Sequence, residues 1–187
     1  MRIIVEGFKR MKLKKKILIT GCAGFIGSNL AEALLSRDYT VIGLDDCCIG
    51  SEENIAEFRH HKRFTFHKGD VQNLETVINF AKGVDWIAHL AAFKIPLYES
   101  ALKTLEINTK GTESCLKAAR EVGAKVLFAS TSDVYGKNPK MPFSEEKDLV
   151  LGSPYVKRWS YAASKIFDEQ LCFAYMEEYD LPVVILR

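Results

Sequence analysis

The chain has 187 residues with 48% hydrophobic and 27% charged content, which is ordinary for a folded globular protein. Its net charge of +2 hides a basic leader, because residues 1–16 carry +6 and residues 17–187 carry −4. A basic segment can contact nucleic acid or anionic lipid, but this one has no interleaved aromatic residues and no binding motif. We therefore interpret it as a solvated leader and expect no nucleic acid partner.

The composition also argues against a membrane or secreted protein. No stretch is long and apolar enough to cross a bilayer, and the apolar run in the leader is too short for a secretory signal. The five cysteines show neither metal-ligand spacing nor the pattern of a disulfide framework. We expect free thiols, no metal site, no membrane partner and a cytoplasmic location.

From residue 17 onward, short apolar runs alternate with helical stretches, which is typical of a parallel sheet covered on both faces. The predicted strands are Lys16–Thr20, Thr40–Leu44, Phe64–Lys68, Trp86–Leu90, Lys125–Ser130 and Pro182–Arg187. The predicted helices are Phe25–Arg37, Leu74–Phe80, Pro96–Val122 and Tyr161–Tyr179. Right-handed crossovers then give an α/β fold with a doubly wound parallel sheet (Rossmann fold) of six strands, whose ligand crevice lies at the carboxyl ends of the strands. Between residues 138 and 152 the chain is polar and contains two prolines, and we predict an active-site loop there.

The last predicted helix and the last predicted strand indicate a partner subunit and a longer protein. Apolar residues cover roughly half the circumference of the predicted helix Tyr161–Tyr179, which is more than packing on one sheet face requires. We expect part of this surface to contact another helix in a homodimer. The chain stops at Arg187, directly after the sixth strand, and we expect it to be a fragment of a longer protein.

The spacing Gly21-x-x-Gly24-x-x-Gly27 joins the first strand to the first helix. Gly21 permits a tight turn, Gly24 lets backbone approach a phosphate, and Gly27 lets helix and strand pack closely. The helix N-terminus then offers N–H groups and a partial positive charge to a pyrophosphate. An ordinary strand–helix turn with chance glycines is the alternative, and the strand–turn–helix context disfavours it.

Acidic residues follow the second and third strands. Asp45 comes 24 residues after Gly21, where a carboxylate can accept both adenosine-ribose hydroxyls and repel a 2′-phosphate, which favours NAD over NADP. Asp46 is a weaker candidate, because neighbouring side chains usually point apart. Asp70 could hydrogen-bond the adenine amino group, or it could instead cap the following helix.

The fourth strand ends in the sequence His89-Leu90-Ala91-Ala92, whose small residues leave room for a cofactor. We interpret His89 as a packed residue rather than a catalyst.

The last third of the chain carries a second set of reactive groups. Ser130 to Asp133 place three hydroxyls and an acid at the end of the fifth strand. Tyr161 and Lys165 lie one helical turn apart on one helix face. A cation at this distance can lower the pKa of the phenol, which favours proton transfer to and from a substrate alcohol. Such a pair is common by chance, but its combination with the glycine turn and the hydroxyl cluster is not.

Taken together, these motifs resemble the extended short-chain dehydrogenase/reductase family, in its nucleotide-sugar epimerase, dehydratase and decarboxylase branch. The matching stretch runs from Ile17 to Arg187. The motifs are Thr20-Gly-Cys-Ala-Gly-Phe-Ile-Gly27, Leu44-Asp45, Gly69-Asp70-Val71, His89-Leu-Ala-Ala92, Asn108, Ser130-Thr-Ser-Asp-Val-Tyr-Gly136 and Tyr161-Ala-Ala-Ser-Lys165.

The resemblance implies tightly held NAD and a catalytic set of Thr131, Tyr161 and Lys165. It further implies a cofactor site to which Tyr161 and Lys165 also contribute, together with Gly21, Gly24, Phe25, Ile26, Gly27, Asp45, Asp70, Val71, Leu90, Ala91, Ala92, Lys94 and Asn108. Asn108 would shape the site through its helix, and Lys94 would contact the cofactor or the sugar nucleotide.

Within this branch the expected reaction is UDP-sugar 4-epimerisation, because Phe93-Lys94 and Arg158-Trp159-Ser160 look like those of the epimerases. Tyr161 would take the C4 hydroxyl proton, NAD would accept the hydride, and the keto sugar would turn before the hydride returns. UDP-glucuronate decarboxylases share the Thr-Ser-acid pattern and remain an alternative. Dehydratases typically carry an Asp-Glu pair where this chain has Ser132-Asp133, which disfavours 4,6-dehydration.

Another alternative is a non-catalytic NAD-binding module. In the family, segments after the sixth strand supply most contacts to the sugar nucleotide, and this chain lacks that C-terminal substrate-binding portion. We expect residues 17–187 to bind NAD and to turn over sugar nucleotide poorly when alone. The intact catalytic set favours an enzyme, because a sensor would not require it.

Overall fold

The computed structural model describes residues 16–94 and 100–187, so most of the predicted leader lies outside the described residues. Six strands and four α-helices alternate along the chain. The strands are β1 (Lys16–Thr20), β2 (Thr40–Asp45), β3 (Phe64–Lys68), β4 (Trp86–His89), β5 (Lys125–Ala129) and β6 (Val183–Leu186). The α-helices are α1 (Phe25–Leu35), α2 (Leu74–Ala81), α3 (Ala101–Val122) and α4 (Trp159–Tyr179).

All neighbouring strands pair in parallel, in the order β3-β2-β1-β4-β5-β6. The order reverses between β1 and β4, and a doubly wound sheet opens its ligand crevice at such a point. The predicted six-stranded Rossmann-type sheet is therefore confirmed, and β1 and β3 have the predicted bounds. The other strands differ from their predicted bounds by one residue at one or both ends, which is within the usual uncertainty at element ends.

The core has two parts, one on each face of the sheet. On one face, Leu18, Ile87 and Phe128 pack with apolar residues of α2, α3 and α4. On the other face, Ile19 and Val41 pack with α1 and with Ile55 of a short 3₁₀ helix at Glu52–Phe58. This 3₁₀ helix was not predicted, and neither was a second one at Ser132–Tyr135.

Local signals fix the ends of the helices. The Asn73 side chain accepts a hydrogen bond from Thr76 N at the start of α2, and Ser100 accepts one from Lys103 N at the start of α3. Gly123 ends α3 in the left-handed conformation, with φ +70°. The Pro96–Ser100 part of the predicted third helix falls largely outside the described residues, and the helix begins at Ala101. Within residues 16–94 and 100–187, no helix combines the length and apolarity needed to cross a membrane.

Candidate active site

The loop between β1 and α1 has no room for side chains at two of its three glycines. Gly21 adopts φ +72°, and a Cβ there would lie 2.7 Å from Ala91 N. A Cβ on Gly27 would lie 2.1 Å from the carbonyl oxygen of Gly21, whereas one on Gly24 would lie 3.3 Å from it. Gly21 and Gly27 therefore let the loop fold tightly against β4 and α1, and Gly24 tolerates a side chain more easily. This is the glycine pattern that leaves bare backbone for a phosphate group.

Helix α1 begins at this loop. Gly24 is its N-cap, and no side chain caps the helix. Phe25 and Ile26 are 82% and 65% exposed, so their contribution to a ligand would come from backbone N–H groups rather than from buried side chains. An uncapped N-terminus of this kind suits an anionic group.

Asp45 ends β2 and closes the loop from the other side. Its carboxylate accepts hydrogen bonds from Ala23 N at 2.9 Å and from Cys47 N at 2.8 Å. Burial raises the pKa of Asp45, and these two hydrogen bonds oppose the rise. Asp45 thus has a structural role in holding the loop, which the sequence analysis missed, in addition to its position at the predicted ribose site. Asp46 is exposed and accepts a hydrogen bond from Cys48 N.

An open cleft with about 610 Å³ of empty space lies along the carboxyl ends of β1 to β4. Eight of the predicted cofactor residues line it, namely Gly21, Gly24, Asp45, Asp70, Val71, Leu90, Ala91 and Ala92. Asp70 does not cap α2, because Asn73 does so, and this alternative was wrong. Instead, the Asp70 carboxylate accepts hydrogen bonds from Gln72 at the edge of the cleft.

Asn108 fixes the segment that follows the cleft. It is 1% exposed, and its side chain accepts a hydrogen bond from Phe93 N at 2.7 Å and donates one to Ser164 Oγ at 2.9 Å. The side chain thereby ties the end of β4 to α4. The oxygen and nitrogen of the Asn108 amide are already hydrogen-bonded to other residues of the protein. Its predicted cofactor role is therefore supported only by its position next to the cleft.

His89 is buried within the same region. Its Nδ1 lies 2.8 Å from Thr20 Oγ1 and its Nε2 lies 3.1 Å from Thr112 Oγ1. Burial lowers its pKa to about 3, and the nearby Lys165 acts in the same direction, so the ring is neutral near pH 7. The interpretation of His89 as a packed residue is confirmed.

Tyr161 lies near Thr131 and Asp133 at the end of β5. The pKa of Tyr161 is raised to about 12, first by burial and then by the charge of Asp133, while a hydrogen bond to Thr131 opposes the rise. The predicted lowering by Lys165 is not what the structure shows. Desolvation of the phenolate dominates, because the Tyr161 side chain is buried, and the charge that acts on it most is that of Asp133 rather than that of Lys165.

Lys165 is 1% exposed and points back toward the sheet. Its Nζ donates a hydrogen bond to the carbonyl of Ala129 at 2.9 Å and lies 4.6 Å from the centre of the Phe128 ring. Burial lowers the pKa of Lys165 to about 8, and Asp168 is the strongest of the acids that oppose this change. The lysine is thus held at the end of β5, where Thr131 begins the next turn.

Two cations approach Asp133, and one of them also lies over the Tyr161 ring. Lys94 Nζ lies 4.7 Å from the centre of the Tyr161 ring and 3.2 Å from a carboxylate oxygen of Asp133. Arg158 approaches the other oxygen of Asp133 at 3.9 Å. Since Phe93 lines the cleft and Lys94 follows it, the cleft and Tyr161 are neighbouring parts of one site.

An ion pair below this site was not predicted. Arg187 at the end of β6 donates three hydrogen bonds to the Glu169 carboxylate, and Ser130 also contacts that carboxylate. The pair joins β5, β6 and α4 just beneath Thr131. The polar segment at 138–152 lies nearby, with Phe143 stacked on Tyr135, and its role as an active-site loop stays a prediction.

The arrangement of glycine loop, cleft and Tyr161 can be compared with known proteins. A model of the NAD dependent epimerase/dehydratase family matches residues 17–187. The chain belongs to this family. NAD is the cofactor of the family, and the glycine loop, whose backbone would be blocked by any side chain at Gly21 or Gly27, fits a dinucleotide.

Relatives in the family catalyse different reactions. UDP-N-acetyl-alpha-D-glucosaminuronate decarboxylase from Bacillus cytotoxicus is 37% identical over 182 residues, covering 94% of this chain and 54% of the relative. UDP-N-acetylglucosamine 4-epimerase from Methanobrevibacter ruminantium has a similar structure, with a TM-score of 0.83, 31% identity and coverage of 93% of this chain and 54% of that protein. The dTDP-glucose 4,6-dehydratase from Streptomyces venezuelae, solved with NAD bound, gives a TM-score of 0.82 at 32% identity, with 91% and 54% coverage.

The chain spans about half the length of the curated relatives it matches. Membership in the family is therefore established for residues 17–187, and the reaction type varies among the relatives.

Proposed function

We propose that the chain is the cofactor-binding and catalytic part of a nucleotide-sugar 4-epimerase that acts on a UDP-sugar. The observation that carries this proposal is the position of Tyr161. It lies beside Thr131 and under Lys94, next to a cleft lined by the glycine loop and the end of β4.

The residues of the cleft would hold the cofactor. The glycine loop and the start of α1 suit the pyrophosphate, Asp45 the adenosine ribose, and Asp70 with Val71 the adenine. Bound NAD would accept a hydride from the sugar carbon and later return it. The Lys165 ammonium, held at Ala129, would support the nicotinamide ribose.

Tyr161 would exchange a proton with the C4 hydroxyl of the sugar. Without cofactor, the raised pKa of about 12 keeps Tyr161 a neutral phenol near pH 7, which is the form that gives a proton back to the substrate oxygen when hydride returns. In the oxidation step Tyr161 would have to be the phenolate, which would accept the C4 hydroxyl proton as hydride leaves C4. Thr131, at hydrogen-bond distance from the phenol, would orient the same hydroxyl. Removing the proton from the alcohol makes loss of hydride from its carbon easier, and rotation of the keto sugar before hydride returns would invert C4.

Decarboxylation of a UDP-uronate is the second candidate. Several curated relatives carry this activity in their names, including UDP-glucuronic acid decarboxylase 1 from Xenopus tropicalis, which is 36% identical. The same oxidation at C4 would create a β-keto acid, which loses CO₂ from C5 and takes up a proton there. The cations Lys94 and Arg158 near Tyr161 are compatible with an acidic sugar.

Product analysis separates these candidates. The whole enzyme of which this chain is proposed to be the cofactor-binding and catalytic part would be incubated with NAD and, in turn, with UDP-glucose, UDP-N-acetylglucosamine and UDP-glucuronate. The nucleotide sugars would then be separated by chromatography. A 4-epimer without CO₂ supports the first candidate, whereas CO₂ with a UDP-pentose supports the second. Either product should be lost in Tyr161→Phe. NAD binding without any product, in a protein whose Tyr161→Phe variant behaves identically, would contradict both candidates and favour the binding module.

We also propose that α4 contributes to a homodimer. Phe167 and Phe173 on this helix are 54% and 51% exposed, which is unusual for large apolar side chains. Sedimentation at micromolar concentration tests this proposal, and a monomer that persists as the concentration rises would contradict it.

A further inference from the structure

Asp168 is a carboxylate that the proposed chemistry does not use. It lies on α4, is 0% exposed, and neither of its oxygens has a hydrogen-bond partner in the part of the chain that the structure describes. Buried carboxylates without such partners are rare, because removing their charge from water costs several kcal/mol per ion, and each one calls for an explanation. Its position three residues after Lys165 supplies one.

Lys165 requires an opposite charge, since its ammonium is equally buried. The ionisable groups around it come from three elements. They are Asp168, Glu169 and Cys172 on α4, Cys115 on α3 and His89 on β4. Burial raises the pKa of both thiols, that of Cys172 to about 12, and lowers the pKa of His89 to about 3, so all three groups are neutral near pH 7.

The charge of Glu169 is balanced by Arg187, which donates hydrogen bonds to both of its carboxylate oxygens. Asp168 is therefore the acid near Lys165, among the described residues, whose charge no other cation balances. Its carboxylate and the ammonium form no ion pair within 4.0 Å among the described residues, so they interact through their charges inside the buried site rather than by direct contact.

A chain of polar groups supports the carboxylate from the side of the sheet. Neutral His89 can accept a hydrogen bond from the Thr20 hydroxyl at Nδ1 and donate from Nε2 to Thr112 Oγ1, which leaves the Thr112 hydroxyl proton free for another acceptor. Burial raises the pKa of Asp168 to about 6, and Lys165 and then Thr112 oppose this rise, although neither Asp168 oxygen has a full hydrogen bond within the described residues. Thr20 in turn accepts from Ala91 N, in the lining of the cleft.

We propose that Asp168 is the buried counter-ion of Lys165, a positioning residue that keeps the lysine in its ammonium form at the end of β5. The inference deepens the proposed function, since Lys165 is one of its catalytic residues. Without the carboxylate, the lysine would lose its proton more readily and could no longer donate its full set of hydrogen bonds to Ala129 and to a bound ribose.

The test is an NMR titration of Lys165 in the chain without cofactor. Lysine ¹³Cε and ¹⁵Nζ shifts are followed from pH 5 to pH 11, and the Lys165 signal is assigned by its loss in Lys165→Arg. Asp168→Asn should weaken the proton affinity of Lys165 by about tenfold or more, the order expected for unit charges one helical turn apart in a buried site. Glu177→Gln, which removes an exposed charge from the same helix, should leave the midpoint unchanged.

An unchanged Lys165 midpoint in Asp168→Asn, or an equal shift in Glu177→Gln, would overturn the inference. If Asp168→Asn does not fold by circular dichroism, the reciprocal measurement takes its place. Lys165→Met removes the charge that lowers the pKa of Asp168, so the midpoint of the Asp168 ¹³Cγ signal should move to higher pH, and an unmoved midpoint would overturn the inference.

Calorimetric NAD binding, measured separately, distinguishes the two proposals. A chain that binds no NAD but shows the shifted midpoint contradicts the proposed function alone. A chain that binds NAD with an unmoved midpoint contradicts the counter-ion alone.

Discussion

The Lys94 ammonium lies over the ring of Tyr161, 4.7 Å from its centre, while also contacting Asp133 at 3.2 Å. Tyr161 therefore has a cation on its face and an anion near its hydroxyl, and Asp133 outweighs Lys94 in setting its pKa. After burial, which is the largest cause, the residues of the turn after β5 rather than Lys165 set the pKa of Tyr161. The reactivity of the site should respond accordingly.

Two substitutions in that turn should move the pKa of Tyr161 in opposite directions. Asp133→Asn removes a negative charge that disfavours phenolate, so the pKa should fall from about 12 toward its ordinary value. Thr131→Val removes a hydrogen bond that favours phenolate, so the pKa should rise. Titration of tyrosine ¹³Cζ shifts, with Tyr161→Phe for assignment, measures both. Shifts of the same sign would show that the turn does not set the pKa.

Two glycines of the loop should differ in their roles, with Gly27 needed for folding and Gly24 mainly for binding NAD. Gly27→Ala places a methyl group 2.1 Å from the Gly21 carbonyl oxygen, which should cost about 1–3 kcal/mol in the free energy of unfolding and abolish NAD binding. Gly24→Ala meets the same oxygen at 3.3 Å, so it should weaken NAD binding while changing stability by less than about 1 kcal/mol. Urea unfolding and calorimetry measure the two effects. Equal losses of stability in both variants would contradict this division.

Asp45 should discriminate between the two dinucleotides. Asp45→Asn removes the charge that would repel a 2′-phosphate, and its remaining oxygen can still accept from Ala23 or Cys47. We expect the ratio of the Kd for NADP to the Kd for NAD to fall by about tenfold, equivalent to about 1.4 kcal/mol. Asp46→Asn, at the exposed neighbour, is the control and should keep the ratio. If the ratio changes only in Asp46→Asn, the ribose contact belongs to Asp46 and our assignment to Asp45 is wrong.

The ion pair beneath Thr131 should be important for stability. Arg187→Met leaves the Glu169 carboxylate, whose side chain is 4% exposed, without its cation, and a loss of about 3–5 kcal/mol in the free energy of unfolding is typical of such a change. Lys117→Met breaks an exposed pair with Glu113 on α3 and should cost less than about 1 kcal/mol. Urea titrations compare them. Similar losses would mean that Glu169 is well solvated or otherwise paired.

The sequence predicts the fold well because its signals are local. Each strand is a short apolar run, and the turn at Gly21 and the small residues at Ala91 and Ala92 lie where strands end. The 3₁₀ helices at Glu52–Phe58 and Ser132–Tyr135 escape prediction, because such short elements have no periodicity to detect.

The site is predicted only in part, since its electrostatics depend on contacts between distant segments. The pairing of Lys165 with the Ala129 carbonyl and of Arg187 with Glu169 joins residues far apart in sequence. The raised pKa of Tyr161 comes first from burial. The spacing of Tyr161 and Lys165 in the sequence does not show how deeply either side chain is buried. Spacing identifies the reactive groups, and packing decides how they are charged.

If the proposed function is right, one cleft brings the nicotinamide of NAD to Tyr161. Intermolecular NOEs between the nicotinamide ring protons and the ¹³C-labelled protein measure this contact directly. We expect NOEs to the Tyr161 ring, together with amide shifts at Gly21 to Gly27 and at Ala91. Binding that perturbs the glycine loop but gives nicotinamide contacts elsewhere, with none to Tyr161, would contradict it.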